Sequence, residues 1–365
     1  MKYVEIGGAR MSAIGLGTWQ FGSTEWGYGA DYAQQGAAAI VRRALDVGIT
    51  LFDTAELYGF GRSERILGRA LEGRRDEAFV ASKLFPLLPI GPVVHQRAHG
   101  STRRLGVEAL DLYQIHQPNP VVPLSATMPA FARLLDEGTI RHAGVSNFSL
   151  ERWQAAEASL GRPVLSNQVR FSLVDRRPER ELLPWAQAND RLVIAYSPLA
   201  QGLLSAHYGP GNRPSGMVRA SSPDFHPENL RRAEPMLDVL RQVAAAHDVT
   251  PAQVALAWLI RRPNVVVIPG ASSVAQVEVN AAAADIDLGD DEDGALSAAA
   301  EAYHPLRARD VLPDLVRDGA TSVLGQLSAK LRGGVGAGSG KGVGGGAGSG
   351  TGAGPGTGAS AAPGH

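Results

Sequence analysis

Asp53, Tyr58, Lys83 and His116 place a carboxylate, a phenol, an ammonium and an imidazole early in one chain. Three of them close short, mostly apolar runs: Thr50–Asp53, Phe79–Lys83 and Asp111–His116; Tyr58 follows Asp53 by five residues. Taken singly, each has an ordinary reading, Asp53 as a turn cap and Tyr58 as loop packing. Together they suit the delivery of a proton to a carbonyl oxygen. A free phenol with a pKa near ~10 is a weak acid catalyst at neutral pH. A neighbouring ammonium is expected to stabilise the phenolate and lower that value. A carboxylate would keep the ammonium charged, and an imidazole can hydrogen-bond the carbonyl. The set contains no hydride donor, so a cofactor must bring one.

The elements that carry these residues alternate regularly. Lys2–Val4 and Arg10–Ser12 read as a hairpin turning at Gly7-Gly8. Eight apolar runs follow, at Ile14–Gly17, Thr50–Asp53, Ala78–Lys83, Leu110–His116, His142–Ser146, Val164–Val169, Leu192–Ser197 and Val265–Pro269. Helical patterns separate most of them: Asp31–Val47, Ser63–Leu71 with Ser63 as N-cap, Leu124–Leu135 and Leu150–Leu160. Continuous rather than alternating apolar strands suit a parallel sheet covered on both faces. The α/β pattern therefore predicts a (β/α)₈ TIM barrel, whose strand C-termini converge on the reactive face.

Two segments depart from the rhythm. After Ser197 a long Gly/Pro/Ser-rich stretch, including HYGPGNRPSG, leaves the seventh strand and is expected to serve as a lid or a loose loop. The barrel, with a C-terminal helical extension at Val311–Leu331, is expected to occupy residues 1–332. Residues 333–365 form a Gly/Ala/Ser-rich low-complexity tail, too poor in apolar residues to order itself.

Composition removes several function classes. The formal charge of −1 and the lack of a Lys/Arg cluster argue against nucleic acid. The absence of cysteine excludes thiolate chemistry and Cys-ligated metals. No metal site is expected: no H-x-H pair occurs, and His116 and Asp53 end separate strands. No signal peptide or membrane-length apolar stretch stands out, so a cytoplasmic location is expected and membrane association is not. Oligomeric state is not legible.

The motifs FDTAELYG, ASKLF and LYQIHQP, followed in order by IRHAGVSNF, SNQVRFS, AYSPLAQGLL and IPGASSVAQVEVNAAAA, resemble those of the aldo-keto reductase family. The resemblance runs from about Val4 to Asp287. It implies an oxidoreductase acting on aldehyde or ketone carbonyls, with a nicotinamide cofactor bound extended and without a Rossmann fingerprint. It assigns Tyr58 as general acid, Lys83 and Asp53 as its tuning pair, and His116 as the group that positions the carbonyl. Ser146, Asn147 and Gln168 match the residues that hold the carboxamide, and Tyr196 the ring that stacks on the nicotinamide. Ser197, Leu199 and Gly202 match the pyrophosphate loop. Gly17 and Thr18, with Asp53, match the first cofactor contacts, and Trp19 joins Tyr58 and His116 in lining the substrate pocket.

At the adenosine end the corresponding residues are Gly270, Ser272, Gln276 and Asn280, with no Lys or Arg between Gly270 and Asn280. NADPH is the expectation from the resemblance, and NADH stays open because arginine's charge-assisted bonds to a 2′-phosphate are missing. A regulatory nicotinamide-binding subunit, similar to the β subunits of potassium channels, is the alternative to a carbonyl reductase. Substrate choice is expected to lie in the Phe21–Ala30 loop with Trp26 and Tyr28, the Phe85–Pro92 loop, the Ser205–His226 segment and the C-terminal region.

Overall fold

In a computed structural model of the chain, residues 1–22, 36–214, 219, 222–306 and 310 are described. They all fall within one compact unit, Met1–Leu315. The expected helix at 311–331, the tail from 333, Trp26 and Tyr28 lie outside the described residues, as do parts of the 31–47 helix and of the 205–226 segment.

The chain opens with β1 (Tyr3–Ile6) and β2 (Ala9–Ser12), paired antiparallel with Ile6 opposite Ala9. Gly7 and Gly8 make the turn at φ 54° and 78°. Two successive left-handed residues match the right-handed twist of the strands they join. Eight parallel strands follow: β3 (Leu16–Gly17), β4 (Leu51–Asp53), β5 (Phe79–Leu84), β6 (Leu110–Ile115), β7 (Ile140–Ser146), β8 (Ser166–Arg170), β9 (Leu192–Tyr196) and β10 (Val265–Val267). Each pairs with the next in sequence.

Hydrogen bonds also join the two ends of the sheet. Gly15 N donates to Val267 O at 2.7 Å, Gly17 N to Pro269 O at 3.1 Å, and Val267 N to Ala13 O at 2.9 Å. The sheet is therefore a closed barrel. Closure is tight at Gly17, where a Cβ would stand 2.8 Å from Ile268 O.

Helices α1 (Trp19–Gly22), α2 (Ala37–Asp46), α3 (Arg62–Ala70), α4 (Gly91–Leu105), α5 (Leu124–Asp136), α6 (Leu150–Leu160) and α7 (Leu182–Ala188) alternate with the strands. Helices Pro227–Ala246, Pro251–Ile260, Val274–Ala282 and Asp290–Ala302 follow. No single helix among the described residues is long and apolar enough to cross a membrane.

Two apolar cores result. One lies between strands and helices and includes Val80, Tyr113, Phe131, Trp153 and Trp258. The other fills the barrel's N-terminal end, where Ile6 and Met11 of the hairpin pack with Leu51, Leu112, Leu192 and Val266. Burying such side chains contributes roughly 1.5–3 kcal/mol each relative to exposure. With that end plugged, the open face of the barrel lies at the strand C-termini.

One local reading needs correction. Ser63 does not cap α3; the helix starts one residue earlier, after Gly61 at φ 79°. Ser63 is instead buried, donating its Oγ to Thr18 O at 2.8 Å and accepting from Thr54 Oγ1 at 3.0 Å.

Candidate active site

The C-termini of β4, β5 and β6 bring the four residues together. Lys83 is wholly buried, so its ammonium must be paired to be tolerated. It donates to Asp53 Oδ1 at 2.5 Å, to Thr54 O at 2.9 Å and to Tyr58 Oη at 3.2 Å. All three donors of the ammonium are thereby used. Asp53 is fixed from the other side as well, since Gln168 Nε2 donates to its Oδ2 at 2.7 Å. The Tyr58 ring lies 4.9 Å from Lys83 Nζ, edge-on to His116 at 5.7 Å and stacked near Trp19 at 6.2 Å. Tyr58 and His116 stay partly open to the mouth, and Trp19 is exposed.

The electrostatics differ in one respect from the expectation. Burial raises the Tyr58 phenol most; Lys83 pulls it down and Asp53 pushes it up, and the net position lies above the ordinary value. Desolvation of the phenolate outweighs one ammonium that Asp53 already partly neutralises. Burial also pulls the Lys83 ammonium down, but Asp53 and then Tyr58 more than offset it, so Lys83 stays charged. Burial, and secondarily Lys83, lower His116 to about 3, so the imidazole is neutral at physiological pH.

The other expected residues form a polar arc beside this cluster. Ser146 Oγ donates to Gln168 O at 2.9 Å, and Asn147 Nδ2 donates to Ser146 Oγ at 3.0 Å and to His116 O at 3.3 Å. Tyr196 Oη donates to Asn147 Oδ1 at 3.0 Å, which tethers a half-buried ring at the end of β9. Asn147 and Ser197 both hold left-handed backbone, φ 61° and 49°. Such strain persists only where surrounding structure enforces it. Leu199 and Gly202 flank Ala200 and Gln201, also left-handed at φ 47° and 57°. The Gln201 Oε1 atom is buried without a hydrogen-bond partner.

Thr18 is buried, and its N and Oγ1 both donate to Asp53 O at 2.9 Å. Gly17 spends its N–H on barrel closure. Gly270 is exposed, while Gln276 accepts from Ser272 N at 2.7 Å and from Ser272 Oγ at 2.9 Å. Asn280 is buried in the helix Val274–Ala282.

Against this geometry, comparison with known proteins is decisive. A model of the aldo/keto reductase family matches residues 13–301. The chain belongs to the aldo/keto reductase family. This reductase is 57% identical over 319 residues to the uncharacterized oxidoreductase Rv2298 of Mycobacterium tuberculosis (strain ATCC 25618 / H37Rv), covering 87% of this chain and 98% of that one. It is 33% identical over 293 residues to methylglyoxal reductase YeaE of Escherichia coli (strain K12), covering 79% and 90%. An aldo/keto reductase from Klebsiella pneumoniae, solved with NADP and acetate, superposes with a TM-score of 0.66 at 35% identity, over 84% of this chain and 96% of that one.

Several members of the site gave no sequence signal. Thr54 supplies the carbonyl that accepts the third Lys83 bond. Glu64, wholly buried, accepts from Ser82 Oγ at 2.6 Å and from Arg104 Nε at 2.5 Å, bracing β5 next to Lys83. Glu56 Oε1 accepts from Phe85 N at 2.6 Å and Asn119 Nδ2 donates to Pro86 O at 2.7 Å, stitching the loops after β4, β5 and β6 together. Glu56 and Asn119 carry only the signature of an Asx or Glx in a loop after a strand, too common to single them out; Thr54 acts through its backbone carbonyl and Glu64 from within α3.

Proposed function

We propose that this aldo/keto reductase is an NADPH-dependent carbonyl reductase that reduces apolar aldehydes or ketones to alcohols. The observation that carries it is the contact of the buried, carboxylate-paired Lys83 ammonium with the Tyr58 hydroxyl at 3.2 Å. When bound, the reduced nicotinamide would supply a hydride, a proton carried with two electrons, to the carbonyl carbon. Tyr58 Oη gives its proton to the carbonyl oxygen, and the phenolate left behind is stabilised by Lys83 until solvent reprotonates it. Tyr58 therefore needs its help at the moment of transfer rather than in the resting state, where its raised pKa keeps it protonated. His116 is neutral, and its Nδ1 is buried without a partner. Leaving an acceptor unpaired costs less than leaving an N–H unpaired, so the proton belongs on Nε2, as a donor to the carbonyl oxygen.

The residues present fit the cofactor. Ser146, Asn147 and Gln168 offer mixed donors and acceptors to a carboxamide, and Tyr196 a tethered ring face for the nicotinamide. The unpartnered Gln201 Oε1 in a strained loop is a group whose bonding a ligand would complete; the amide can turn to present its NH₂ instead. Ser272 and Ser273, at the start of a helix, would take the phosphate at the adenosine end. The NADP complex of the Klebsiella pneumoniae relative supports the phosphorylated cofactor for this chain.

The apolar substrate class rests on the rim. Nine large apolar side chains are exposed among the described residues. Seven stand on segments leaving β3 to β6, among them Trp19, Leu57, Phe60, Leu87, Leu88 and Val121. Exposed apolar groups gathered at one mouth mark a binding surface. Absorbance loss from NADPH, followed with a panel of aldehydes, ketones and sugars, tests the reading. Tight NADPH binding without turnover on any carbonyl would defeat it.

A further inference from the structure

A second constellation lies away from the mouth, on the outer layer of helices. His95 and His99 stand one turn apart on α4, at positions i and i+4, which puts both rings on one face. Their ring centroids are 4.7 Å apart. Glu137, at the C-terminal end of the adjacent α5, reaches across so that its Oε2 lies 2.6 Å from His95 Nε2. One nitrogen from each histidine and one carboxylate oxygen lie within 4.8 Å of one another.

We propose that His95, His99 and Glu137 form a site for a divalent cation of the zinc class, clamping α4 to α5. Two imidazole nitrogens and one carboxylate oxygen are a borderline donor set, suited to zinc and to nickel or copper, and poorly suited to magnesium or calcium. Histidines four apart on a helix are a recurrent way of presenting two nitrogens to one ion. Tetrahedral bonds near ~2.0–2.2 Å hold donors roughly 3.3–3.6 Å apart, so the wider spacings, up to 4.8 Å, must narrow while the 2.6 Å His95–Glu137 contact opens. All three side chains are partly exposed and can turn without disturbing the core. A hydrogen bond between His95 and Glu137 explains those two residues alone; it gives no reason for His99 to bring a third donor. Three protein ligands leave a fourth position for water. Neither histidine is at a strand end, so the site is separate from the Tyr58 cluster and is not assigned to the reduction.

The test uses full-length, tag-free protein stripped with chelator and titrated with Zn²⁺ by calorimetry, with Co²⁺ absorption as a second readout. One equivalent per chain is expected, with a Zn²⁺-dependent rise in Tm. His99→Asn and Glu137→Gln should each weaken binding at least tenfold and abolish that rise. Both variants should keep the metal-free Tm and the turnover of the parent, which separates metal loss from misfolding. Lack of a stoichiometric equivalent, or binding that survives both substitutions, overturns the proposal.

Discussion

Gln168 Nε2 donates to Asp53 Oδ2 at 2.7 Å, joining β8 to β4 across the interior of the barrel. This gives Gln168 a second task beside its expected contact with the cofactor. The bond orients the carboxylate whose other oxygen holds Lys83. Gln168→Leu removes the donor and leaves Asp53 Oδ2 buried and unsatisfied, which costs about 1–3 kcal/mol. Both Tm and turnover should fall, and NADPH affinity should weaken with them. Gln168→Glu would set a second carboxylate against Asp53, and it should be worse than the leucine variant on turnover. Equal turnover in all three proteins, measured under cofactor saturation, would dissociate Gln168 from the proton-donating cluster.

Tyr58→Phe isolates the proton from the fold. Lys83 keeps its bonds to Asp53 Oδ1 and Thr54 O, so the buried ammonium stays paired. Stability should change little. Turnover should drop by about 10²–10⁴-fold, the usual worth of a positioned acid. Cofactor affinity, read by fluorescence quenching, should hold within about twofold, because the binding surface is intact. Parental turnover in the phenylalanine protein would remove Tyr58 from the mechanism.

The pH dependence follows from two shifts of opposite sign. Tyr58 lies above its usual pKa, so the acid form that the proposed reduction needs persists through neutral pH. The reduction limb of kcat/KM should descend only above the ordinary phenol range. His116, at about 3, binds fewer protons when folded than when unfolded, where a histidine titrates near ~6.5. Its contribution to stability is therefore full above pH ~6.5 and is lost progressively as pH falls toward 3. Tm should decline over that window, and less steeply in His116→Asn. An acidic limb in kcat/KM near pH ~6.5 that disappears in His116→Asn would contradict a neutral, depressed imidazole.

The barrel was readable because its strands are apolar runs broken by one polar residue at the C-terminal end. Asp53, Lys83 and His116 were conspicuous for that reason. The direction of the Tyr58 shift was not readable, since it depends on burial of a ring that packs near Trp19, Lys83 and His116, residues far apart in the chain. Ser63 looked like a cap because it opens an amphipathic run; only the left-handed Gly61 shows that the helix begins earlier. Glu64 and Arg104 are forty residues apart, and no periodicity links them. Long-range polar pairs of this kind are written in three dimensions.

Phe60 and Leu88 allow the apolar rim to be tested against strain. Both are exposed, and both hold left-handed backbone at φ 52° and 49°, which bulky residues rarely adopt. Exposure and strain each disfavour these side chains, so stability does not account for them. The proposed binding role at the mouth would, since a rim preorganised by the Glu56 and Asn119 stitches would meet substrate without reordering. For straight-chain aldehydes, kcat/KM should rise with length, by at most about fourfold per methylene buried, from ~0.8 kcal/mol per CH₂. Leu88→Gly and Phe60→Gly should flatten that slope while leaving Tm unchanged or higher, because glycine relieves the backbone strain. Retention of the full slope in both glycine variants, with the shortest aldehydes still turned over, would move the specificity elsewhere and leave the proposed reduction standing.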